Sequence, residues 1–398
     1  MLQSLIVERS DYNRRFKKLP RNTRVFNSVD QIGEVSWRRL EPPNFPFASY
    51  KYLNALEKTS CVGVDTGWQP YYFTCWKDTL LEGAILTYLK TDSYGEYIFD
   101  FAWANAYHQN KVSYYPKLLA AIPFTPATGP KILLSTKGSD EVTLCLLEAI
   151  ETFSKENHLS SVHALFLEKD ELPSFEKAHY KIRHSYQFHW QNNDYKNFQS
   201  FLSDLKSKRR KEIIRERNQV AKAGLKISVL TGAQLTENHA DVMYRFYLDT
   251  IHKMGGQAYL NKAFFKDVFE NMRDQIVLVL AQNSQDQFVA GALNFNSQEK
   301  LFGRYWGCLT DYKALHFELC YYQTIEFAIA QKIKIFEAGA QGEHKFQRGF
   351  LPALTYSAHK IADPRFRDAI SNFIDDEKKQ IDLLFGEYLT HNPFSLEA

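Results

Sequence analysis

The stretch LFGRYWGC (residues 301–308), LHFELCYYQTIEFAIAQKIKIFE (315–337) and GEHKFQRGFLP (342–352) decides the fold of this chain. The aromatic run at its start predicts a strand. Apolar residues then recur at helical spacing between 316 and 331, which predicts a long amphipathic helix. Residues 332–336 alternate between polar and apolar side chains, which predicts a second strand.

A polar cluster follows that second strand, on a turn hinged by two glycines. Its members are Gly339, Gln341, Gly342, Glu343, His344, Lys345 and Arg348. An acid, an imidazole and two cations within six residues, close to the aromatic residues Trp306 and Phe346, make this turn the first site candidate. The alternative is a solvated loop whose charges pair with one another.

Length and composition limit the classes of protein to consider. A chain of 398 residues exceeds what one core usually supports, so we expect two domains. The net charge of +3 does not by itself imply polyanion binding. Five cysteines without CxxC or His/Cys ligand spacing predict a reduced cytoplasmic protein with no metal site. No secretory leader and no apolar stretch of about 20 residues is present, so we expect no membrane span.

The order of elements occurs twice. Residues 117–190 and 300–360 both read as strand, loop, long helix, strand, turn and closing strand, about 170 residues apart, which predicts an internal duplication. Mixed strands and helices in each half predict an α/β (α+β) fold. The expected divisions are a basic tail (1–21), a first domain (22–193), a basic connecting helical segment (194–224), a second domain (225–363) and a C-terminal helix (364–398). In the first domain, residues 97–103 predict a strand.

The connecting segment KSKRRKEIIRERNQVAKAG (206–224) predicts a helix with an apolar seam and a basic back. A solvated helix face is one interpretation. The other is an anchor for phosphates or a polyanion, with Lys208, Arg209, Arg210, Lys211 and Arg215 as its contacts.

Two sets of motifs resemble the FemAB-like predicted N-acyltransferases, which belong to the GNAT-related superfamily. They are SYGEYIFDFAWANAY (93–107) with YYPKLLAAIPFTPATGP (114–130), and the second-half stretch quoted above. The resemblance implies two tandem GNAT-like acyltransferase domains related by internal duplication. Better-studied relatives pass an amino acid from charged tRNA to an amine of a peptidoglycan precursor. The glycine pattern with which GNAT proteins hold coenzyme A is absent from 123–130 and from 307–316. The expected donor is therefore aminoacyl-tRNA or acyl-CoA, with no permanently bound cofactor, and the acceptor is a small-molecule or peptide amine.

Acyl transfer to an amine needs a proton acceptor, donors for the developing oxyanion and an anchor for the donor. Glu343 or His344 is the predicted proton acceptor, and backbone N–H groups near Trp306 and Gly307 are predicted to stabilise the oxyanion. The predicted substrate contacts are Trp306, Glu318, Tyr321, Tyr322, Gln341, Lys345 and Arg348, with Glu96, Asp100, Trp103, Tyr115 and Lys117 from the first half.

We expect a groove between the domains, lined by Trp103, Tyr115, Trp306 and Tyr321. Cys308 and Cys320 are expected to be structural rather than nucleophilic. Two other functions stay open: a binding module for peptide or glycan without catalysis, and a conventional acetyl-CoA-dependent acetyltransferase.

Overall fold

The computed structural model describes residues 19–20, 22–135, 139–340 and 342–395 of the chain. Gln341 of the predicted site, and all of the predicted basic tail except residues 19 and 20, lie outside the described residues.

Runs of strands and runs of helices follow one another along the described chain. The strands are β1 (Thr23–Phe26), β2 (Trp68–Pro70), β3 (Tyr72–Lys77), β4 (Leu80–Ile85), β5 (Thr87–Lys90), β6 (Lys117–Ala120), β7 (Ile132–Leu134), β8 (Ser161–Leu167), β9 (Lys181–Gln191), β10 (Lys226–Thr231), β11 (Ile276–Gln282), β12 (Phe288–Asn296), β13 (Lys300–Cys308), β14 (Ile335–Glu337) and β15 (Leu351–Ile361). The helices are α1 (Val29–Ile32), α2 (Glu34–Trp37), α3 (Tyr50–Lys58), α4 (Phe101–Gln109), α5 (Asp140–Glu156), α6 (Leu172–Lys177), α7 (Phe198–Asp204), α8 (Ser207–Lys222), α9 (Glu237–Lys253), α10 (Lys262–Asn271), α11 (Leu315–Phe317), α12 (Gln323–Ala330) and α13 (Pro364–Thr390). A π-helical turn, Glu318–Tyr322, joins α11 to α12, and a 3₁₀ turn, Glu343–Arg348, precedes β15.

One large sheet crosses both halves of the chain, with the order β10-β11-β12-β13-β14-β9-β15-β8-β6-β5-β2. A smaller sheet, β1-β3-β4-β7, adjoins its first-half end. Only two neighbouring pairs of the large sheet are parallel, β6 with β8 and β13 with β14. Each pair is connected through a helix, α5 in the first half and α11–α12 in the second, as parallel neighbours require. The predicted duplication is therefore visible as a repeated strand–helix–strand unit.

The two halves exchange their last strands. The strand β9, which ends the first half, pairs with β14 of the second half. The strand β15, which ends the second half, pairs with β8 of the first. The exchanged strands also pair antiparallel with each other at the centre of the sheet. The predicted boundary near residue 193 divides the chain into two halves. It does not divide the sheet, because the last strand of each half pairs with a strand of the other half.

Two helical layers cover the second-half strands β11–β13. The helices α9, α10 and α3 pack on one face, where Phe246, Phe264 and Tyr52 meet Phe302 of β13. The helices α8 and α11 cover the other face, where Val220 and Leu315 pack near Trp306. Neighbouring β13 residues point to opposite faces of a strand, so each layer contacts its own set of side chains from this strand.

The prediction of a strand over residues 97–103 is wrong, because helix α4 begins at Phe101. Phe99, Phe101 and Trp103 alternate with polar or small residues, and this alternation mimicked a strand. In the structure Phe99 and Phe101 are about half exposed, whereas Trp103 and Tyr107, one helical turn apart, are buried. Tertiary contacts of those two residues decide the helix. No helix in the described ranges is both long and apolar enough to cross a bilayer.

Candidate active site

The candidate site lies where the parallel strands β13 and β14 separate. They pair from Lys300 with Ile335 to Phe302 with Glu337, and then β13 continues while the chain after β14 turns away. At the base of this opening a Cβ on Gly339 would lie 3.7 Å from the carbonyl oxygen of Gly303. The segment after β14, with the turn Glu343–Arg348, forms the other wall.

Gly342 sets the backbone conformation at the start of that turn. Its φ of 112° is a backbone conformation that residues with a Cβ rarely adopt. A Cβ there would also lie only 2.5 Å from Cε1 of the His344 ring. Glycine is therefore required here both by the backbone conformation and by the imidazole that packs on it.

Lys345 is a buried cation in the opening, with 2% of its surface exposed. Its Nζ donates to the carbonyl oxygen of Gly339 at 2.8 Å, and no carboxylate among the described residues pairs with it. Burial lowers its pKa to about 8, and the nearby Cys320 thiol offsets this only in part. An ammonium has three donors, so Lys345 retains donors for a bound group.

An imidazole and a phenol lie beside this lysine. A hydrogen bond of 2.9 Å joins the hydroxyl of Tyr321 and Nε2 of His344. Burial and the cations Arg348 and Lys345 lower the pKa of His344, so its ring is neutral at pH 7 and can accept a proton. His316 stacks edge-on with Trp306 at 5.1 Å, and burial lowers its pKa to about 4.

Arg348 ties the turn to helix α8. Its guanidinium forms a buried ion pair with Glu216, with Nη2 and Oε1 2.5 Å apart. The hydroxyl of Tyr322 donates to the same carboxylate, and the Arg348 guanidinium lies 3.5 Å from the centre of the Phe317 ring. Arg348 is therefore fully engaged by protein groups and acts as a support for the turn.

Other second-half predictions fall outside this cluster. Glu343 is exposed, and its carboxylate makes no hydrogen bond or ion pair within the described ranges. Glu318 is buried and pairs with Arg217 at 3.0 Å. The expected strand irregularity is a bulge at Arg304, not at Trp306 or Gly307, which stand opposite Ala292 and Gly291 of β12.

The first-half predictions form a second, separate cluster. Lys117 is completely buried, and its Nζ contacts Glu96 at 2.9 Å and Asp100 at 2.5 Å. Burial raises the pKa of Glu96 to about 7. Burial alone would raise the pKa of Asp100 as well, but Lys117 holds it below its ordinary value. One oxygen of each carboxylate has no partner within the described structure.

The expected groove shared by four aromatic residues is not formed. Trp103 is buried against His359 and helix α13, and Tyr115 hydrogen-bonds Ser93. Trp306 and Tyr321 instead pack around the second-half turn. The two pairs belong to different clusters, because Trp103 packs on β15 and α13 whereas Trp306 and Tyr321 pack on His316 and His344.

Helix α8 carries an unpaired basic stripe. Lys208, Lys211 and Arg215 recur at spacings of three and four residues and are exposed, and no ion pair involves them within the described ranges. Arg209 differs, because it pairs with Glu212 at 3.3 Å and donates to Gln347 at 3.1 Å. Arg210 lies half-buried, 3.5 Å from the Ser203 carbonyl oxygen.

The sequence analysis missed two residues, Glu216, which supports the turn through Arg348, and Arg304, which occupies the bulge of β13. Glu216 had a usable signal, because it lies between Ile213 and Val220 on the apolar seam of α8, where a charge needs a buried partner. For Arg304 the sequence contained no such signal, because the direction of its side chain depends on a β-bulge that pairing with β12 creates. The described residues contain no group of three or more His, Cys, Asp or Glu side chains placed to hold a metal ion.

Comparisons with known proteins were made for both sequence and fold. The profile of the FemAB-like family, described as peptidoglycan biosynthesis/recognition, matches residues 28–396. The solved structure of FemX is similar with a TM-score of 0.53 at 10% identity, covering 87% of this chain and 100% of FemX. The C-terminal domain (DUF2156) of a putative lysylphosphatidylglycerol synthetase from Agrobacterium fabrum has a TM-score of 0.51 at 8% identity, covering 88% of this chain and 97% of that one. At these identities the similarity shows the fold alone. No curated protein matches the chain.

Proposed function

The chain belongs to the FemAB-like family of peptidoglycan biosynthesis and recognition, as its motifs predict, and on this basis we propose that it is an aminoacyltransferase. It moves an aminoacyl group from charged tRNA to an amine of a cell-envelope precursor. Charged tRNA and such precursors are made in the cytoplasm, so we expect the reaction there.

One observation carries the proposal: a buried ammonium and a neutral imidazole stand together in the opening between two parallel strands. Lys345 has no carboxylate partner among the described residues and retains free donors, while His344 beside it is neutral at pH 7. These are the groups that acyl transfer to an amine requires, a cation for developing negative charge and an acceptor for the amine proton.

The same turn is joined to the basic helix. Glu216 and Arg209 of α8 bond to Arg348 and Gln347 of the turn. A polyanion bound along Lys208, Lys211 and Arg215 would therefore contact the same helix that holds the site turn in place. This connection supports tRNA as the donor.

The chemical step follows from these positions. The amine nitrogen attacks the carbonyl carbon of the ester that joins the aminoacyl group to the tRNA. Negative charge develops on the carbonyl oxygen, where Lys345 stabilises it. His344 accepts a proton from the attacking nitrogen. The C–N bond forms, the ester C–O bond breaks, and the tRNA oxygen leaves as a hydroxyl after taking the proton that His344 received.

A salt series with purified protein tests the donor. Binding of charged tRNA should weaken steeply as salt rises, by roughly one unit of log–log slope per phosphate contact. Lys211→Ala with Arg215→Ala should flatten the slope by roughly two units. Arg209→Ala with Arg210→Ala is the matched control, because those guanidinium groups already contact protein; it should change the slope less. Tight acetyl-CoA binding without salt-sensitive tRNA binding would instead identify an acetyltransferase.

A binding module without catalysis is the second candidate. The first-half cluster of Lys117, Glu96 and Asp100 is buried, so it presents no reactive group to a substrate at the surface. His344→Ala separates the two functions. If binding of the acceptor and the melting temperature persist while transfer is lost, the protein is an enzyme. If no transfer is measurable in the wild type under any donor condition, the binding module is favoured.

A further inference from the structure

The guanidinium of Arg304, which forms no ion pair within the described part of the chain, lies on the face of the sheet opposite Lys345. Arg304 occupies the bulge of β13, where Leu293 pairs with Tyr305 but Asn294 pairs with Gly303. A bulge redirects the side chain of its extra residue and often lies next to a functional site. Here it directs Arg304 toward the layer of α3, α9 and α10, with the guanidinium 5.8 Å from the Phe47 ring centre.

The bonds of Arg304 leave much of its donor capacity unused. One Nη2–H group donates to the carbonyl oxygen of Phe124, and Nε is buried without a hydrogen-bond partner. No Asp or Glu side chain in the described part of the chain forms an ion pair with it. A guanidinium offers five donors in a planar fork that matches an oxyanion. Three phenols surround the guanidinium, those of Tyr305, Tyr97 and Tyr52. Its charge also acts on the buried carboxyl of Glu337, without an ion pair within the described ranges. Buried charges are normally paired with an opposite charge, so Arg304 is a candidate to bind an anion.

Three loops from both halves meet around this side chain. Phe124 belongs to the first-half loop 121–131, and Tyr259 belongs to the second-half loop between α9 and α10. Their rings stack at 4.8 Å with an angle of 4° between planes. Tyr97 comes from the loop that follows β5 and, like Tyr259, is half-buried. Residues 252–258 beside Tyr259 are exposed, so the cluster opens to solvent at a junction of the two halves.

The two cations of the opening are on different sides of the sheet. Arg304 lies with Phe302 and Tyr305 on the α9 and α10 side. Lys345 lies near His316 and Cys320, which pack with Trp306 on the α8 and α11 side. Two substrates that approach from opposite faces could thus meet where β13 and β14 separate.

We propose that Arg304 binds an oxyanion, a carboxylate or phosphate, carried by the amine acceptor, which enters between the loops at Tyr97, Phe124 and Tyr259. The inference rests on the proposed transferase function, because that function assigns the donor to the Lys345 face. The aromatic rings favour an acceptor whose anionic group is attached to an apolar or planar body. The binding step itself needs no catalysis and can be measured separately.

Two pairs of probes test the proposal and distinguish the source of the anion. One pair is a short peptide with a free C-terminal carboxylate and the same peptide amidated. The other is uridine diphosphate and uridine. We expect one charged probe to bind the wild type at least tenfold more tightly than its neutral counterpart. Arg304→Gln should abolish that preference, and Arg304→Lys should retain part of it, because a single ammonium replaces the fork.

The matched control is Arg367→Gln, because within the described ranges that guanidinium also donates to two carbonyl oxygens, of Ile361 and Ala362, and forms no ion pair, but it lies at the start of α13. It should keep the full preference. The proposal is overturned if neither charged probe is preferred, or if the preference survives in Arg304→Gln. A fall of more than roughly 10 °C in the melting temperature of Arg304→Gln would also overturn it, because the main role of Arg304 would then be to stabilise the loop that contains Phe124. Loss of tRNA binding with this preference intact would refute the proposed donor but not this site.

Discussion

Replacing Lys345 by methionine should stabilise the fold and abolish transfer. The pKa of Lys345 is about 8 in the folded protein against an ordinary 10.5. At 1.36 kcal/mol per pH unit this difference corresponds to about 3 kcal/mol of destabilisation by the charged form at pH 7. The bond to the Gly339 carbonyl offsets part of it, by about 1 to 2 kcal/mol. We therefore expect Lys345→Met to be more stable by about 1 to 2 kcal/mol at pH 7.

The two pKa values of Lys345, folded and unfolded, also predict how this stability difference changes with pH. The folded pKa lies below the unfolded one, so between pH 8 and 10.5 the unfolded chain binds more protons and stability rises with pH. The destabilisation by Lys345 is complete below pH 8 and fades as pH approaches 10.5. The stability difference should therefore shift by about 3 kcal/mol over that range, from an advantage of about 1 to 2 kcal/mol for the variant at pH 7 to a disadvantage of about 1 to 2 kcal/mol at pH 10.5. Denaturant unfolding of both proteins at pH 7, 9 and 10.5 measures it.

Lys131→Met is the matched control. Lys131 is also buried with a pKa of about 8, but its Nζ donates to two carbonyl oxygens, of Gly129 and Phe166, and Glu171 lies nearby. By the same accounting, its removal relieves about 3 kcal/mol of burial cost but loses two hydrogen bonds of about 1 to 2 kcal/mol each, so the stability at pH 7 should change by less than about 1 kcal/mol. The reasoning on Lys345 would be refuted by a loss of more than about 1 kcal/mol at pH 7, or by an advantage that does not change with pH. Transfer activity close to the wild type would refute its role in the site.

Three further substitutions test the supports of the site. Glu216→Gln removes one partner of a buried ion pair and should destabilise by about 3 to 5 kcal/mol; a loss below about 1 kcal/mol in thermal unfolding would mean that Arg348 is otherwise paired. Gly342→Ala should cost about 1 to 3 kcal/mol and displace the His344 ring, with transfer reduced more than acceptor binding; kinetics equal to the wild type would contradict this. Gly307→Ala places a Cβ 1.9 Å from a backbone oxygen of α9, so we expect a strongly lowered melting temperature, and an unchanged value would show that α9 can move.

Much of the fold could be predicted from local sequence. The helical spacing after residue 315 and the alternation before Phe336 are repeated many times within their windows, and the structure has α11–α12 and β14 there. The motifs also predicted the FemAB-like family. The strand predicted from the alternation at residues 97–103 was wrong. A pattern of three aromatic residues is too short to distinguish a strand from the start of a helix with one exposed and one buried face.

The sequence located the site turn but not the roles of its residues. The cluster at 343–348 is where the candidate site lies, and its glycine hinge is required by φ and by the imidazole. The sequence alone could not distinguish exposed Glu343 from buried Lys345, because nearby residues of a tight turn point in different directions. Their environments depend on helices that are distant in sequence.

By itself, the sequence determined most helices and strands and the family motifs, because each of these follows from a pattern within about 20 residues, and the duplication follows from the same order of elements occurring twice. Only the tertiary structure decided that the last strands are exchanged, that Glu216 pairs with Arg348 across 132 positions, and that a bulge directs Arg304 to the face opposite Lys345. These features depend on which distant segments share a sheet or a core. Pairing across strands and burial of charge are long-range properties, and no local pattern encodes them.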